Sequence, residues 1–416
     1  MSNLIFPAND ETLSAEKEAE RYARIKERLR LAADTFTPSR PVQAREIFKG
    51  RTDQLFDCLS ISDRLGLHGI LFGDRGVGKT SIANMVRLLS DSSDDDIIVK
   101  KVECTSKDDF ADIMKSVYRS VPVSVMEKAC GFGSVDSIAT KSLSDLIGEK
   151  TSFKPKDVAY LLKQMQCRML IILDEFDRLD KQKFDLSSLT ELIKITSDTE
   201  VDVHFLIVGV GESVDDIVGN HASIVRNITQ IKLGSMNDKE IGEIIAAGMR
   251  RLSLSIPNDV AADIVSFSCG YPHYTHLLCL DAACNTIRAE RLEVERADLE
   301  YAISRALSKA QESIKNSYHD ATRANRQNIY KEVLQACGAV ALDEYNTFAP
   351  KDLEKHLTNK LKRPMKATQF GAHLINLCKP ERGGILVSIG QKGRARYRFR
   401  DPLMRAYVRL AVGNRR

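Results

Sequence analysis

The sequence predicts an α/β fold in which a three-layer, parallel-sheet domain is followed by a helical lid and a C-terminal module of three helices and a hairpin. Three observations predict it. Short apolar runs at 69–72, 168–173 and 201–210 alternate with helix-length stretches, the pattern of parallel strands joined by crossover helices. The first run opens into a glycine-rich loop and the second ends in carboxylates, which puts polar chemistry at the carboxyl ends of core strands. After Gly234 strand-like runs give way to helical periodicity, until two short basic strands near the C-terminus.

At 416 residues the chain exceeds one comfortable core. We divide it into an N-terminal helical extension (1–44), the sheet domain (45–234), the helical lid (235–320) and the hairpin module with its basic tail (321–416). An apolar fraction of 43% with 28% charged residues belongs to a soluble globular chain, not a disordered or fibrous one. No run approaches the roughly 20 apolar residues that span a bilayer, and no basic-then-apolar leader opens the sequence. No membrane association is expected. Nine cysteines occur without a CxxC pair, as reduced thiols do, so a cytoplasmic location is expected. Cys269, His273, His276 and Cys279 are zinc-type ligands, but their spacing fits no standard zinc pattern and Pro272 falls among them. A helix start with buried side chains is expected there.

Taken in order, residues 1–12 are polar and precede a charged helix over 14–31 with sparse apolar positions, ended by Pro38 and Pro41. A helix over 53–59 runs toward the strand at 69–72, and another follows from Ser81. An acidic turn at 91–96 leads to a strand over 97–104 and a helix from Phe110. The serine-rich stretch 122–155 predicts an irregular insertion with short helical pieces. Helices over 157–165 and 186–195 flank the strand at 168–173, and strands over 201–210 and 230–233 complete the sheet. Asn237-Asp238-Lys239-Glu240 reads as a capping box opening a helix. Further helices fit 258–266, 274–289 and 298–313. Residues 321–326 link to helices over 329–337, from Pro350, and over 367–377. Strands over 384–389 and 395–400 then flank a basic turn, and a last helix over 401–410 has Pro402 in its first turn.

The chemistry centres on Gly73-Asp74-Arg75-Gly76-Val77-Gly78-Lys79-Thr80-Ser81, which lies between a strand and a helix. That is the context of a phosphate-binding loop: glycines let backbone N–H groups converge on phosphate oxygens, and the new helix adds the positive end of its dipole. Lys79 reaches the β- and γ-phosphates and the Thr80 hydroxyl holds Mg²⁺. Asp174, at the end of the acidic strand, is the second metal-side group, and Glu175 polarises the attacking water. Ile47 and Phe48 line the adenine or cover the sheet. Glu212 and Ser213, after the strand at 201–210, are candidates to touch the water or the γ-phosphate. His273, in the turn Cys269-Gly270-Tyr271-Pro272-His273, can reach back to nucleotide. ATP and Mg²⁺ are the expected cofactors.

From 380 to 416 ten Lys or Arg residues stand against Glu381 and Asp401. Three helices and a hairpin make a helix-turn-helix with a wing, and Lys366, Lys392, Arg394, Arg396 and Arg398 are its candidate nucleic-acid contacts. Alternating Arg396, Arg398 and Arg400 also fit the solvent face of a strand whose other face, Tyr397 and Phe399, packs inward.

These residues resemble the AAA+ ATPases related to the origin-recognition and Cdc6 initiators, and bacterial signalling ATPases of similar layout. The resemblance rests on Phe48-Lys49-Gly50-Arg51, the Walker A loop ending in Lys79-Thr80, Walker B Asp174-Glu175, the Gly270-Tyr271-Pro272 turn and the Tyr397–Leu403 stretch. It implies a homo-oligomer in which an arginine of one subunit reaches its neighbour's γ-phosphate; Arg226 holds the matching position. Where relatives carry a sensor arginine after the glycine–proline turn, His273 is the nearest residue here, and no arginine follows until Arg288.

The expected function is an ATP-binding and ATP-hydrolysing switch that couples nucleotide state to assembly and to double-stranded DNA. One alternative is a signalling or defence ATPase that regulates a separate effector. Another is a helper that directs a recombinase or helicase.

Overall fold

Helix α1 (Asp10–Thr35) opens the computed structural model, which describes residues 10–41, 45–91, 97–127, 137–144, 153–165, 167–199, 201–211, 214, 225–310, 312–323, 329–343, 346–389 and 395–413. The chain divides into two compact units, 41–235, and 1–40 with 236–416.

The 41–235 unit runs α2 (Thr52–Leu59), β1 (His68–Gly73), α3 (Lys79–Asp91), β2 (Ile97–Glu103), α4 (Phe110–Ser120), β3 (Pro122–Glu127), β4 (Ser137–Ser142), α5 (Pro155–Gln164), β5 (Arg168–Asp174), α6 (Leu186–Asp198), β6 (Val203–Val210) and β7 (Ile228–Leu233). Five strands form one parallel sheet in the order β2-β5-β6-β1-β7. The central strands are continuous apolar runs because helices cover both their faces. Ile70, Ile171, Phe205 and Ile207 join Val117, Leu162 and Leu192 of the helices in one core. Strand β2 lies at an edge and is only partly covered, with Val99 and Val102 buried, so it admits Lys100 and Lys101 into an apolar run. The register sets Gly73 beside Val210 and Leu233, and Asp174 beside Glu103, so the strand ends line up along one rim of the sheet.

One expectation is corrected here. Residues 122–127 and 137–142 form a two-stranded antiparallel sheet, β3 with β4, instead of short helical pieces. Val123, Val125 and Met126 give the first strand an apolar, β-branched content, but Pro122 and Ser124 break any clean period-two pattern.

The second unit packs α1 with α7 (Asp238–Arg251), α8 (Asn258–Ser268), α9 (Pro272–Arg288), α10 (Arg296–Lys309), α11 (Glu312–Thr322), α12 (Tyr330–Ala339), α13 (Glu354–Leu361), α14 (Ala367–Leu377), β8 (Leu386–Ile389), β9 (Arg396–Phe399) and α15 (Pro402–Gly413). The capping box forms as read: Asn237 and Glu240 exchange side-chain bonds with each other's backbone N–H, both at 2.9 Å. Helix α9 is the central one, with Leu278, Cys279, Ala282 and Ala283 buried. Just past α1, Phe36 packs edge-on against His276. Helix α11 is separate from α10, a break that the reading of 298–313 as one helix missed: Ala310 leaves helical backbone at ψ 147, without a proline or glycine to announce it. Strands β8 and β9 pair antiparallel, and Phe348 bridges Tyr397 on the outer side of β9. No helix among the described residues is long and apolar enough to cross a membrane.

Candidate nucleotide site

The site is built where β1 ends. Gly73 has φ 153, and a Cβ there would meet the Leu233 carbonyl oxygen of β7 at 2.1 Å, so only glycine fits beside that strand. Gly78, at φ 103, occupies backbone that side chains rarely adopt and turns the loop into α3. The helix begins with Ile82 N–H donating to the Gly78 carbonyl. Val77 is buried and anchors the loop, while Arg75 is exposed; Asp74, Gly76, Thr80 and Ser81 are half-buried. The Lys79 ammonium sits within the loop and donates to the carbonyls of Gly73 (3.0 Å) and Asp74 (2.8 Å). Burial lowers its pKa from the usual lysine value, opposed by Asp177, Asp74 and Asp174.

Strand β5 brings the carboxylates. Asp174 is almost fully buried; its Oδ1 accepts from the Glu175 N–H at 2.9 Å and lies 3.4 Å from Thr80 Oγ1. Thr80 and Asp174 are hard oxygen donors of the kind Mg²⁺ takes, so the residues present fit that ion. Glu175 has φ 55 and opens a 3-10 turn, Phe176–Arg178, in which Arg178 pairs with its carboxylate. The turn is pinned to the end of β6 by Val210 N–H donating to Asp177 Oδ1 at 2.7 Å.

Lys79, Thr80, Asp174 and Glu175 are thus brought together. Ile47 is buried and Phe48 half-buried. Just after them Gly50 and Arg51 are both left-handed, and the Arg51 guanidinium donates to the Gly234 carbonyl at the end of the unit. Arg226 is exposed on a 3-10 turn, Val225–Asn227, immediately before β7. Glu212 and Ser213 lie outside the described residues. In the second unit, His273 Nδ1 bonds the Pro38 carbonyl oxygen at 2.8 Å, and His276 Nδ1 accepts from Thr37 N–H at 3.1 Å. Among the described residues no group of three His, Cys, Asp or Glu is placed to hold a metal.

The basic tail is more deeply built into the fold than its charge count suggests. Arg396 lies 2.8 Å from Asp343 and donates to Thr347, and Arg400 donates to the Gly384 carbonyl. Arg405 donates to the carbonyls of Gly338 and Val340, and Arg409 to Ser266. Arg382 donates to the Arg323 carbonyl and lies over the Tyr330 ring. Arg398 is half-buried. Lys366 is exposed at the start of α14, 3.7 Å from Glu354. Lys392 and Arg394 lie outside the described residues.

Two residues at the site were missed by the sequence reading. Lys101 pairs with Asp174, and Arg178 with Glu175. A lysine inside an apolar run was the one hint for the first, and the pairing of β2 with β5 that gives it meaning is not local in sequence. The i,i+3 spacing was the signal for the second.

Residues 63–218 match the family described as AAA domain. No curated protein matches the chain in sequence. Among solved structures, the Walker-type ATPase of Pyrococcus abyssi is similar at 16% identity over 89% of this chain and 99% of that one, with a TM-score of 0.50. The Orc2 protein of Aeropyrum pernix, solved in ADPNP and ADP complexes, is 12% identical over 92% and 98%, with a TM-score of 0.49. Cdc6p of Pyrobaculum aerophilum is 15% identical over 92% and 99%, at 0.45. The family match, over residues 63–218, spans the glycine loop and the Asp174–Glu175 carboxylates on the five-stranded parallel sheet, so this part of the chain is similar to an AAA domain.

Proposed function

We propose that the chain is an ATP-hydrolysing switch that couples nucleotide state to self-assembly and to grip on double-stranded DNA. The observation that carries it is the convergence of Lys79, Thr80, Asp174 and Glu175 at the ends of β1 and β5. Loop N–H groups bind the phosphates, and Lys79 neutralises charge on the transferring phosphoryl group. Thr80 and Asp174 hold Mg²⁺, which when bound supplies a Lewis acid to the phosphate oxygens. Glu175 orients and polarises the attacking water. Arg226, exposed before β7, completes the site of a neighbouring copy. Three helices followed by the β8–β9 pair serve as a winged helix, with Lys366, Lys392 and Arg394 as its phosphate-binding candidates.

The test is ATP hydrolysis with and without duplex DNA across protein concentration, with Glu175→Gln as control. Stimulation by DNA that rises steeply with protein concentration is expected, and Glu175→Gln should retain nucleotide while losing turnover. Equal DNA affinity with ADP and with an ATP analogue, together with unchanged assembly, would sink the coupling.

A second reading, an ATPase that regulates a separate protein, draws on α14. Its exposed positions are Thr368, Gln369, Ala372 and Ile375, an uncharged face with Ile375 56% exposed. A stable complex with a partner protein and normal assembly without DNA affinity would favour it.

A further inference from the structure

A lysine that no phosphate-binding motif requires lies against the metal-side carboxylate. Lys101, on edge strand β2, has its ammonium 2.8 Å from Asp174 Oδ2, with side chains 8% and 2% exposed. It also donates to Asn84 Oδ1 of α3 at 2.9 Å. Glu103 stands 3.9 Å away and is largely exposed, so Asp174 is the buried anion that balances this cation. The two oxygens of Asp174 therefore have different duties. Oδ1 faces Thr80 and the Glu175 N–H, while buried Oδ2 accepts no hydrogen bond and has the Lys101 ammonium in ion-pair contact.

We propose that Lys101 is an internal counter-cation that keeps Asp174 from binding a bare divalent ion, so that metal enters only with the triphosphate. Mg²⁺ gives up its water reluctantly and is held by one or two carboxylates together with substrate phosphates. A carboxylate already neutralised by an ammonium in contact offers such an ion little net charge, and burial leaves the repulsion between the two cations poorly screened. The β- and γ-phosphate oxygens supply the missing negative charge. Asn84, on the same helix as Lys79 and Thr80, fixes the ammonium so that it does not swing away from Asp174. Removing the lysine leaves a buried carboxylate without its partner, which both destabilises the fold and creates a better metal site.

This inference rests on the metal-side role proposed for Asp174, and Mn²⁺ titration followed by electron paramagnetic resonance separates the two. Nucleotide-free wild type is expected to bind no Mn²⁺ at submillimolar concentration. Nucleotide-free Lys101→Met is expected to bind it at least about tenfold more tightly, the scale on which partners of a ligand tune metal affinity. Lys101→Arg, which keeps the charge, should behave as wild type. Mg²⁺ without nucleotide should restore the lowered Tm of Lys101→Met and leave that of wild type unmoved. The proposal is overturned if nucleotide-free wild type binds Mn²⁺ as tightly as the variant, or if Mg²⁺ leaves the Tm of the variant unmoved. Should Lys101→Met not fold, submillimolar binding by wild type alone still overturns it. With a non-hydrolysable ATP analogue, wild type should bind Mn²⁺ more tightly than the analogue does, and Asp174→Asn should lose that gain. Persistence of the gain would overturn the role of Asp174 itself, and the guard with it.

Discussion

Arg178 grips the carboxylate of Glu175 across one 3-10 turn. Glu175 itself is left-handed at φ 55, a conformation that a non-glycine residue keeps only where its surroundings impose it. The backbone therefore aims this side chain, and the arginine three residues on holds it. A carboxylate so engaged has to leave its partner before it can polarise water.

Arg178→Ala should consequently raise basal ATP hydrolysis. The pair is solvent-exposed, so the gain should be modest, about two- to fivefold, as befits a weak surface ion pair. Steady-state turnover at saturating ATP measures it. A fall in turnover would mean that Arg178 orients Glu175 productively.

The nucleotide loop was legible because its glycines, lysine and threonine are local in sequence and the flanking strand and helix are strongly patterned. Asp174 was legible for the same reason, as the polar end of an apolar strand. Lys101 was not, because its meaning comes from β2 lying beside β5, a pairing between residues far apart in the chain. The tail shows the opposite failure. Ten cations in 37 residues read as a phosphate surface, whereas Arg382, Arg396, Arg400, Arg405 and Arg409 satisfy carbonyls, hydroxyls and a carboxylate of their own unit. Composition counts charge but not what each charge faces. The β3–β4 pair was hidden similarly, since neither Pro122–Glu127 nor Ser137–Ser142 alternates cleanly and only their pairing makes them strands.

Asp298 should be among the costliest single positions in the second unit. Fully buried, it takes both arms of Arg291 at 2.7 and 2.8 Å, and bonds from Asn285, Thr286 and the Glu295 N–H. Burial pushes its carboxyl up, but the Arg291 bond and the others outweigh it and hold the group below the usual carboxylate range. Asp298→Ala takes from Arg291 its buried partner, leaving it Glu295 and the Glu293 carbonyl, and strands three donors, and should cost about 3–5 kcal/mol. Urea unfolding would register this as a lower midpoint. A loss under about 1 kcal/mol would show that the network forms elsewhere or is hydrated.

Acid should destabilise both units before most carboxylates titrate. Burial, helped by His204, lowers His68 from 6.5 to about 3, and burial with His273 lowers His276 to about 4. Each ring accepts a backbone N–H on Nδ1, His68 from Phe205 and His276 from Thr37, so protonation there would remove the acceptor. The unfolded chain binds these protons near pH 6.5 and the folded chain does not, so stability rises with pH between about 4 and 6.5 and is lost as pH falls through that window. Thermal unfolding should show Tm dropping below pH 6.5, and His276→Asn should flatten the slope. A Tm independent of pH across the window would contradict the buried neutral tautomers.

For DNA, the internal ties of the tail decide which substitutions are informative. Arg396→Glu should first lower Tm, because it places a carboxylate against Asp343. Lys392→Glu with Arg394→Glu breaks no bond of the described fold. If the hairpin turn contacts phosphate, the pair should weaken duplex binding and reduce the slope of log affinity against log salt by about 2. An unchanged slope in a folded protein would remove the turn from the interface.

The end of α1 is locked to α7 by shape. A Cβ at Gly248 would lie 2.2 Å from Phe36 Cζ, so the ring packs on a backbone left bare by glycine. Gly248→Ala must displace the ring, although alanine is otherwise the better helix former. Phe36→Ala removes a fully buried ring and should cost about 3–5 kcal/mol. In the double variant the new methyl enters space that the ring has vacated, so the two losses should not add. A cycle of the four proteins, read by denaturant unfolding, should give a double variant more stable than the sum of the single changes by at least about 1 kcal/mol. Strict additivity would mean that the ring does not rest on Gly248, and that the end of α1 is not held to α7 at this point.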